Sequence, residues 1–231
     1  MVLAHVVRFA FRLPPSFSDF NHFYVASLSV RLGSNAYVAK YDELAHSLGL
    51  DIGFINISNQ PPTFVLCFEP LTRLGPRAAY WTWIGLSLAS FAFALALLLT
   101  TETSLAPREM LLLCALTILY PPLFENFYFG NTQTVILLLV VVAMRCSKHN
   151  WDSGAGLSFA TATALKAYPW ILAFYLVCRR QWRTLLWMAG GCALIGGSHY
   201  GGLAGRRVSH SLGRGALRIA GGFSNNPITF H

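Results

Sequence analysis

Long apolar runs follow one another through most of the last two thirds of the chain. The runs, with the acidic, basic or histidine residue that each contains, are 78–101 with none, 110–144 with Glu125, 153–178 with Lys166 and 184–205 with His199. A helix needs about 20 apolar residues to cross a bilayer. The pattern therefore predicts an all-α fold, a multi-pass bundle of transmembrane helices.

Shorter helices are predicted in the polar segment that precedes these runs. A helix from about 19 to 32 can begin at Ser18 as its N-cap and stop at Gly33. A second short helix is predicted over 41–48. The stretch PPTFVLCFEPLTRLG lies between two proline-marked breaks and is too short to span a membrane, which predicts a half-buried or interfacial helix.

Proline and glycine also predict where the helices of the apolar runs end or bend. Pro121 and Pro122 are expected to end or kink the helix that begins at Met110, and the following stretch PPLFENFYFGNTQ is predicted to be a loop. The last apolar helix is expected over 185–197. Beyond it, the stretch GGSHYGGLAGRRVSHSLGRGALRIAGG is rich in glycine and arginine without apolar periodicity, which favours a loop or a disordered tail.

These elements divide the chain into four predicted regions. They are a partial transmembrane helix at 1–13, an extracytoplasmic loop with short and interfacial helices at 14–77, the transmembrane bundle at 78–200, and the glycine-rich basic tail at 201–231. The first region looks like the end of a helix, and the tail lacks the signs of a natural terminus. We therefore expect the sequence to be a truncated part of a longer protein.

Composition and charge support a membrane protein. Hydrophobic residues make up 55% of the chain and charged residues only 11%, whereas soluble domains carry about 25% charged residues. The net charge is +8, but the basic residues lie mainly at the ends of apolar runs, where membrane helices place their anchoring charges. Membrane lipids are therefore expected as partners, and nucleic acid is not.

Neither the cysteines nor the histidines form a recognisable metal motif. The five cysteines include no CxxC pair, and the seven histidines show no HExxH spacing. The cysteines are predicted to be reduced, small hydrophobic residues. We expect no metal and no other cofactor.

Lys166 is the most unusual residue of the apolar runs, because it lies in GLSFATATALKAYPWILAFYL, three residues before Pro169. A charge at membrane depth is unfavourable by about 2.5–3.5 kcal/mol on insertion scales, so it usually faces a cavity or a partner. An anion such as lipid phosphate would suit it. The alternative is a lysine whose stem reaches the interface, and the segment either spans the membrane or folds back as two half-helices.

Asp19 and His22 form a second candidate group. Asp19 lies among aromatic residues in SDFNHFY, and partial desolvation there would raise its pKa and suit it to general-base catalysis. His22 follows by about one helical turn and can contact it. The alternative is that Asp19 caps a short helix. Similarly, the amides of ENFYFGNTQ, including Asn131 and Gln133, suit either sugar hydroxyls or helix capping.

Several of these stretches, in this order, resemble glycosyltransferase family 87. They are SDFNHFY, NQPPTFVLCFEPL, ENFYFGNTQTVILLLVVVAM and GAGLSFATATALKAYPWILAFYLVCRRQW, which together cover roughly residues 18–185. The family contains integral-membrane enzymes of the GT-C superfamily, including mannosyltransferases that use polyprenol-phosphate-mannose. The resemblance thus implies a GT-C type bundle in the cell membrane with an extracytoplasmic active site.

The resemblance also implies roles for individual residues. Asp19 matches an extracytoplasmic acid and would take the proton of the acceptor hydroxyl. Lys166 matches the lysine of an ALKxxP segment and would bind the phosphate of the donor. Tyr24, Asn131 and Gln133 match lesser positions that would line the sugar site. The implied reaction transfers a hexose such as mannose, with inversion, from a polyprenyl-phosphate donor to a lipid or glycan acceptor.

A second hypothesis is a non-enzymatic membrane protein, such as a transporter fragment or an assembly subunit. Broken helices with buried charges also mark substrate sites in transporters. The two hypotheses differ in geometry. A transferase brings Asp19 and Lys166 together at one site, whereas a transporter places such groups near the membrane midplane between repeats, and no repeat is visible.

Overall fold

A computed structural model describes residues 19–34, 37, 42–53, 60–101 and 106–213. Within these ranges the chain forms helices and no strands, which confirms the predicted all-α class. The helices are α1 (Asp19–Arg31), α2 (Asp42–Ser47), α3 (Pro62–Phe68), α4 (Pro76–Thr101), α5 (Pro107–Ile118), α6 (Pro121–Phe129), α7 (Gln133–Lys148), α8 (Asp152–Leu165), α9 (Leu172–Cys178) and α10 (Trp182–Gly213), with 3₁₀ turns at Glu69–Arg73 and Tyr168–Ile171.

The three short helices of the polar segment lie where the sequence predicts them. Helix α1 ends before Gly33, whose φ of +83° is a left-handed conformation that glycine adopts without a steric penalty. Helix α3 buries Phe64, Val65 and Phe68, as expected for a half-buried helix. Ser18, the predicted N-cap, and the predicted partial helix at 1–13 lie outside the described residues.

Among the described residues, one helix, Pro76–Thr100, is long and apolar enough to cross a membrane by itself. Helices α5 and α6 together pass the same test but are bent by 46° at the break between them, so the number rises to two if the pair is one broken span. The predicted kink at Pro121 and Pro122 is thus confirmed. The multi-pass bundle stays a prediction.

Two predictions of irregular structure were wrong. The stretch after Tyr120 is helix α6 and not a loop, because prolines in the first turn of a helix occupy positions whose N–H groups would have no partner in the helix. Helix α10 continues to Gly213, where the glycine content favoured a loop. Once a helix is nucleated, each added residue contributes another hydrogen bond, and the long apolar start of α10 supplies that nucleus.

The helix that carries Lys166 is broken at that residue. Helix α8 ends at Leu165, and Lys166 has extended backbone angles, φ −152° and ψ 131°. The chain then makes a 3₁₀ turn with Pro169 near its start and continues as α9. The helix is therefore interrupted between Lys166 and Pro169, where the re-entrant alternative would place the junction of its two half-helices. The crossing and the re-entrant arrangements of 153–178 both stay predictions.

The two larger groups of buried side chains each join several of the described helices. The first, here called the aromatic cluster, joins α1, α3 and the start of α4 through Phe20, Phe23, Tyr24, Phe64, Phe68, Tyr80 and Trp83. Its neighbouring rings pack mainly edge to face, with centroids 4.6–6.1 Å apart. The second, here called the aliphatic cluster, joins α7, α8, α9 and α10 through Ala143, Phe159, Ala160, Leu176 and Met188.

Glycines allow α8 and α10 to approach closely beside the aliphatic cluster. A Cβ atom at Gly156 would lie 2.6 Å from the carbonyl oxygen of Thr184 and 2.8 Å from the amide nitrogen of Met188. A Cβ atom at Gly191 would lie 2.7 Å from the Cβ atom of Ala160. Such contacts between small residues are typical of helix pairs in membranes, and this pair fixes the position of α8, which directly precedes Lys166.

Candidate functional site

Asp19 is the first residue of α1, and its side chain is half-buried. The next residue, Phe20, is fully buried in the aromatic cluster, so packing of its ring fixes the start of the helix. Oδ2 of Asp19 accepts a hydrogen bond from Nδ2 of Asn131, with 2.5 Å between the two atoms. A residue of the polar segment is thereby joined to the loop between α6 and α7.

That loop is held in place through its backbone. Gly130 has a φ of +65°, and its carbonyl oxygen accepts a hydrogen bond from Nε1 of Trp83 at 2.7 Å. The amide of Asn131 donates to the carbonyl oxygen of Asn126 at 2.9 Å. A Cβ atom at Gly130 would lie 2.8 Å from the Cβ atom of Phe20, so the loop lies directly against α1.

Lys166 reaches the same loop from the other side. Its Nζ donates to Oδ1 of Asn131, with 3.2 Å between the two atoms. One amide side chain thus contacts both the carboxylate of Asp19 and the ammonium of Lys166, although Asp19 and Asn131 are 112 positions apart in the sequence. The structure therefore brings together three of the residues that sequence analysis selected.

A second pair of side chains lies beside the first. The hydroxyl of Tyr168 donates to Oε1 of Gln133 at 2.6 Å, and the backbone N–H of Gln133 donates to Oδ1 of Asn126 at 3.1 Å. Sequence analysis missed Tyr168. The available signal was its position in the helix break, two residues after Lys166 and directly before Pro169.

Burial and charge set the protonation of Asp19 and His22 on α1. Burial raises the pKa of Asp19, against the opposing effects of Lys166 and His22. Burial lowers the pKa of His22, against the opposing effects of Asp19 and Asp51. The predicted proximity of His22 to Asp19 agrees with this mutual influence. Asp19 is therefore a stronger base than an exposed aspartate, and the neutral form of His22 is favoured.

Tyr24 lies in the aromatic cluster rather than with the polar group. Its ring is buried, with its centroid 5.9 Å from that of Phe20, and its hydroxyl donates to the carbonyl oxygen of Leu74 at 2.7 Å. These contacts tie α1 to the chain that leads into α4. These contacts give Tyr24 a role in packing, while its role at the sugar site stays a prediction.

Asn126, one of the amides of ENFYFGNTQ, supports the site by binding the backbone of Asn131 and Gln133. Its side chain is buried, and its Oδ1 caps the N–H of Gln133 at the start of α7. Within the described part of the chain, no three His, Cys, Asp or Glu side chains lie together in a way that could hold a metal ion. The chemical groups of the site are thus one carboxylate, one ammonium, several amides and a phenol.

Comparison with known proteins identifies the family. The sequence model of glycosyltransferase family 87 matches residues 60–199, a range that holds Asn131, Gln133 and Lys166, while Asp19, His22 and Tyr24 precede it. No curated protein and no solved structure matches the chain significantly. The match covers more than half of the sequence and agrees with the resemblance carried by the motifs. The chain belongs to glycosyltransferase family 87 and is a transferase enzyme of the membrane.

Proposed function

We propose that this enzyme transfers a hexose, with mannose as the first candidate, from a polyprenyl-phosphate donor to a hydroxyl group of a lipid or glycan acceptor. The observation that carries the proposal is the contact of one side chain, Asn131, with both Asp19 and Lys166. A base and a cation held this close can act on the two ends of one transferred sugar. Family membership favours this enzyme over the non-enzymatic alternative.

The proposed reaction is a single displacement with inversion at the anomeric carbon. The acceptor oxygen forms a bond to that carbon while its proton passes to the Asp19 carboxylate. The bond between the anomeric carbon and the phosphate oxygen breaks on the opposite face, and its electron pair leaves with the phosphate. The products are the glycosylated acceptor, polyprenyl phosphate and a protonated Asp19, which returns its proton to solvent.

Asp19 is suited to the role of base by its surroundings. Burial raises the pKa of its carboxyl group above the usual value of 3.8, which strengthens it as a proton acceptor as long as it stays ionised. The ionised fraction is lost as the pH falls through this raised pKa. We therefore expect the acid limb of the pH–rate profile to lie above the pH at which an exposed aspartate titrates.

Lys166 is suited to bind the leaving phosphate. The helix is broken at this residue, so its side chain extends from a segment whose backbone leaves the helical path, and its ammonium lies among polar groups. A polyprenyl-phosphate sugar has a single phosphate, and a fixed ammonium stabilises the negative charge that develops on it in the transition state. Polyprenyl-phosphate sugar and membrane lipids are then the partners, and the same proposal places the site on the extracytoplasmic side of the cell membrane.

The first experiment compares Asp19→Asn with the wild-type enzyme in detergent or lipid discs, using radiolabelled polyprenyl-phosphate mannose. Loss of the base is expected to reduce kcat by about 10²–10⁴-fold. Glu43→Gln, which neutralises an exposed carboxylate on α2, is the matched control and should keep the wild-type rate. Transfer by Asp19→Asn at the rate of Glu43→Gln would rule out Asp19 as the base.

The second experiment tests the cation. Lys166→Met keeps most of the side-chain length and removes the charge, so kcat/KM for the donor is expected to fall by about 10²–10³-fold. Lys148→Met, at an exposed lysine at the end of α7, is the matched control. Equal effects of the two substitutions would show that Lys166 serves only as an interfacial anchor.

A further inference from the structure

The side chain of Asn131 has neighbours that fix the orientation of its amide. Its oxygen faces three donors, the backbone N–H and the hydroxyl of Thr132 at 2.7 and 3.4 Å and the ammonium of Lys166 at 3.2 Å. Its nitrogen faces an oxygen of Asp19, which as a carboxylate only accepts hydrogen bonds. The reversed orientation would place the amide nitrogen against a backbone N–H and an ammonium, which cannot accept a hydrogen bond, and the amide oxygen against a carboxylate. All three neighbours therefore select the same orientation.

The backbone that carries this amide is equally constrained. Gly130 is bonded to Trp83 of α4 and lies against Phe20 of α1, and the N–H of Asn131 is bonded to Asn126 of α6. Movement of Asn131 would therefore require movement of three helices. An anchored amide of fixed orientation is suited to hold its two charged neighbours at a constant separation.

The neighbouring contact limits movement of the lysine segment. Gln133 lies two residues after Asn131, and Tyr168 lies two residues after Lys166, and these two side chains are hydrogen-bonded at 2.6 Å. The helix break after α8 is thus joined at two points to the start of α7 and the loop before it. The pair of contacts keeps the ammonium of Lys166 directed at Asn131.

We propose that Asn131 is a positioning residue, which holds the Asp19 carboxylate and the Lys166 ammonium in register for the two ends of the transferred sugar. This inference rests on the proposed roles of Asp19 and Lys166. It gives Asn131 a different function from the one that the family resemblance implied, a place in the lining of the sugar site. When the donor binds, its phosphate takes up the remaining hydrogen-bonding capacity of Lys166, while the contact between Asn131 and Asp19 persists.

The contact with Asp19 has a consequence that a merely structural residue would not have. A donor aimed at a carboxylate stabilises its ionised form and lowers its pKa. Among the described residues, the other titratable groups that act on Asp19 are Lys166 and His22, and both lower its pKa, while burial raises it. Removal of the Asn131 amide therefore takes away one of the effects that lower the pKa of Asp19, while burial still raises it. The carboxyl group of Asp19 should then titrate at a higher pH.

The test measures the titration of Asp19 in the full chain without substrate. The carboxyl stretching band of Asp19 is identified in the infrared spectrum as the band that Asp19→Asn lacks, and its midpoint is followed with pH. Asn131→Ala is expected to raise this midpoint by about one to two pH units, the equivalent of a hydrogen bond to a charged group. Asn131→Asp keeps the shape but adds a like charge, so it should raise the midpoint as well.

The controls separate positioning from stability and from sugar binding. Gln181→Ala removes an amide that bonds only to Ser147 among the described residues, and it should leave the midpoint unchanged. In the transfer assay, the acid limb of kcat should shift in Asn131→Ala by the same amount as the infrared midpoint. If Asn131→Ala has a higher KM for a substrate but an unchanged infrared midpoint and an unchanged acid limb of kcat, Asn131 lines the sugar site instead.

Each remaining outcome is decisive. If Asn131→Ala does not fold, Asn131→Asp takes its place, and if neither folds, Asn131 supports the fold and the inference is wrong. An unchanged midpoint in a folded variant also overturns it. If the midpoint shifts while the wild-type enzyme fails to transfer sugar from polyprenyl-phosphate mannose, the proposed donor is wrong and the link between Asn131 and Asp19 stands.

Discussion

Asp19 and Lys166 belong to two regions of the molecule that pack by different means. Asp19 begins α1, whose next residue inserts into the aromatic cluster, where large rings from three helices meet edge to face. Lys166 follows α8, which is held against α10 by glycines and alanines that let the two helix backbones come close. The loop at Gly130 and Asn131 lies between the two regions and touches both.

The difference is the one expected from the solvents that the two regions are predicted to meet. Large rings remove much apolar surface from water, and that burial stabilises a short helix such as α1, which would be marginal in isolation. Between membrane helices the surrounding lipid is as apolar as the side chains, so close packing of small residues and hydrogen bonds take over. One such bond runs from the hydroxyl of Thr184 to Asp152 at 2.8 Å.

The same substitution in both regions tests this comparison most directly. Phe68→Ala in the aromatic cluster is expected to lower the free energy of unfolding by about 3–5 kcal/mol, because the fully buried ring contacts Phe20, Phe23, Phe64 and Trp83. Phe159→Ala in the aliphatic cluster should have a smaller effect, since aromatic pairs add about 0.5–1.5 kcal/mol each. Thermal unfolding in detergent measures both, and equal losses would contradict the comparison.

Stability is expected to depend nearly as strongly on the close approach of α8 and α10. Here an added atom, rather than a lost one, destabilises the fold. Gly156→Ala places a methyl group within 2.6–2.8 Å of backbone atoms of α10, and overpacking of this kind destabilises by about 1–3 kcal/mol. Gly190→Ala is the matched control on α10, because nothing lies within 4 Å of its added Cβ atom. Its unfolding midpoint should stay constant or rise, as alanine favours a helix over glycine.

If Gly156→Ala is as stable as Gly190→Ala, the two helices are not held by close packing, and the second half of the comparison fails. If Gly156→Ala is destabilised, a transfer assay on the variant is also expected to show an effect. Because α8 carries Lys166 at its end, separation of the helices should also raise the KM for the polyprenyl-phosphate donor.

The loop between the two regions should respond in activity more than in stability. Gly130→Ala adds a Cβ atom 2.8 Å from that of Phe20 at a φ of +65°. Gly49→Ala meets the same backbone strain, at a φ of +66°, with nothing within 4 Å. Both should lose about 1–2 kcal/mol of unfolding free energy through the left-handed backbone. Only Gly130→Ala also overpacks against Phe20, which should destabilise it by about 1–3 kcal/mol more, and only Gly130→Ala displaces Asn131.

We expect kcat of Gly130→Ala, corrected for the folded fraction, to fall on the order of 10²-fold, since misplacement of catalytic groups by about 1 Å has effects of that size. Gly49→Ala should retain the wild-type kcat. Equal rates of the two variants would show that the contact between the loop and α1 does not position the site.

Local signals predicted much of the fold. The bounds of α1 and α2 agree with the sequence within one residue, because the acidic first turn and the following glycine are local features. Helix α6 was missed because two consecutive prolines suit a helix start as well as a break. Local sequence does not show which of these occurs, since the answer depends on whether the following residues find a packing partner.

The site was predictable only in part. Asp19 and Lys166 were selected because a charge among apolar residues is unfavourable unless it has a partner. Their link through Asn131 was not predictable, since the three residues are far apart in sequence and the link depends on the fold of the loop around Gly130. The partnership of Tyr168 and Gln133 was missed for the same reason.

The smallest expected effect concerns Tyr24, a residue predicted to line the sugar site. Tyr24→Phe removes the hydrogen bond to the carbonyl oxygen of Leu74 and leaves the ring in the aromatic cluster, so it should lower the free energy of unfolding by about 0.5–1.5 kcal/mol. Tyr120→Phe, at an exposed tyrosine without a hydroxyl contact among the described residues, is the matched control for stability. Because the Tyr24 hydroxyl is occupied within the fold, KM for the donor and for the acceptor should stay at the wild-type values. A KM that rises several-fold without loss of stability would instead place Tyr24 at the sugar and extend the site into the aromatic cluster.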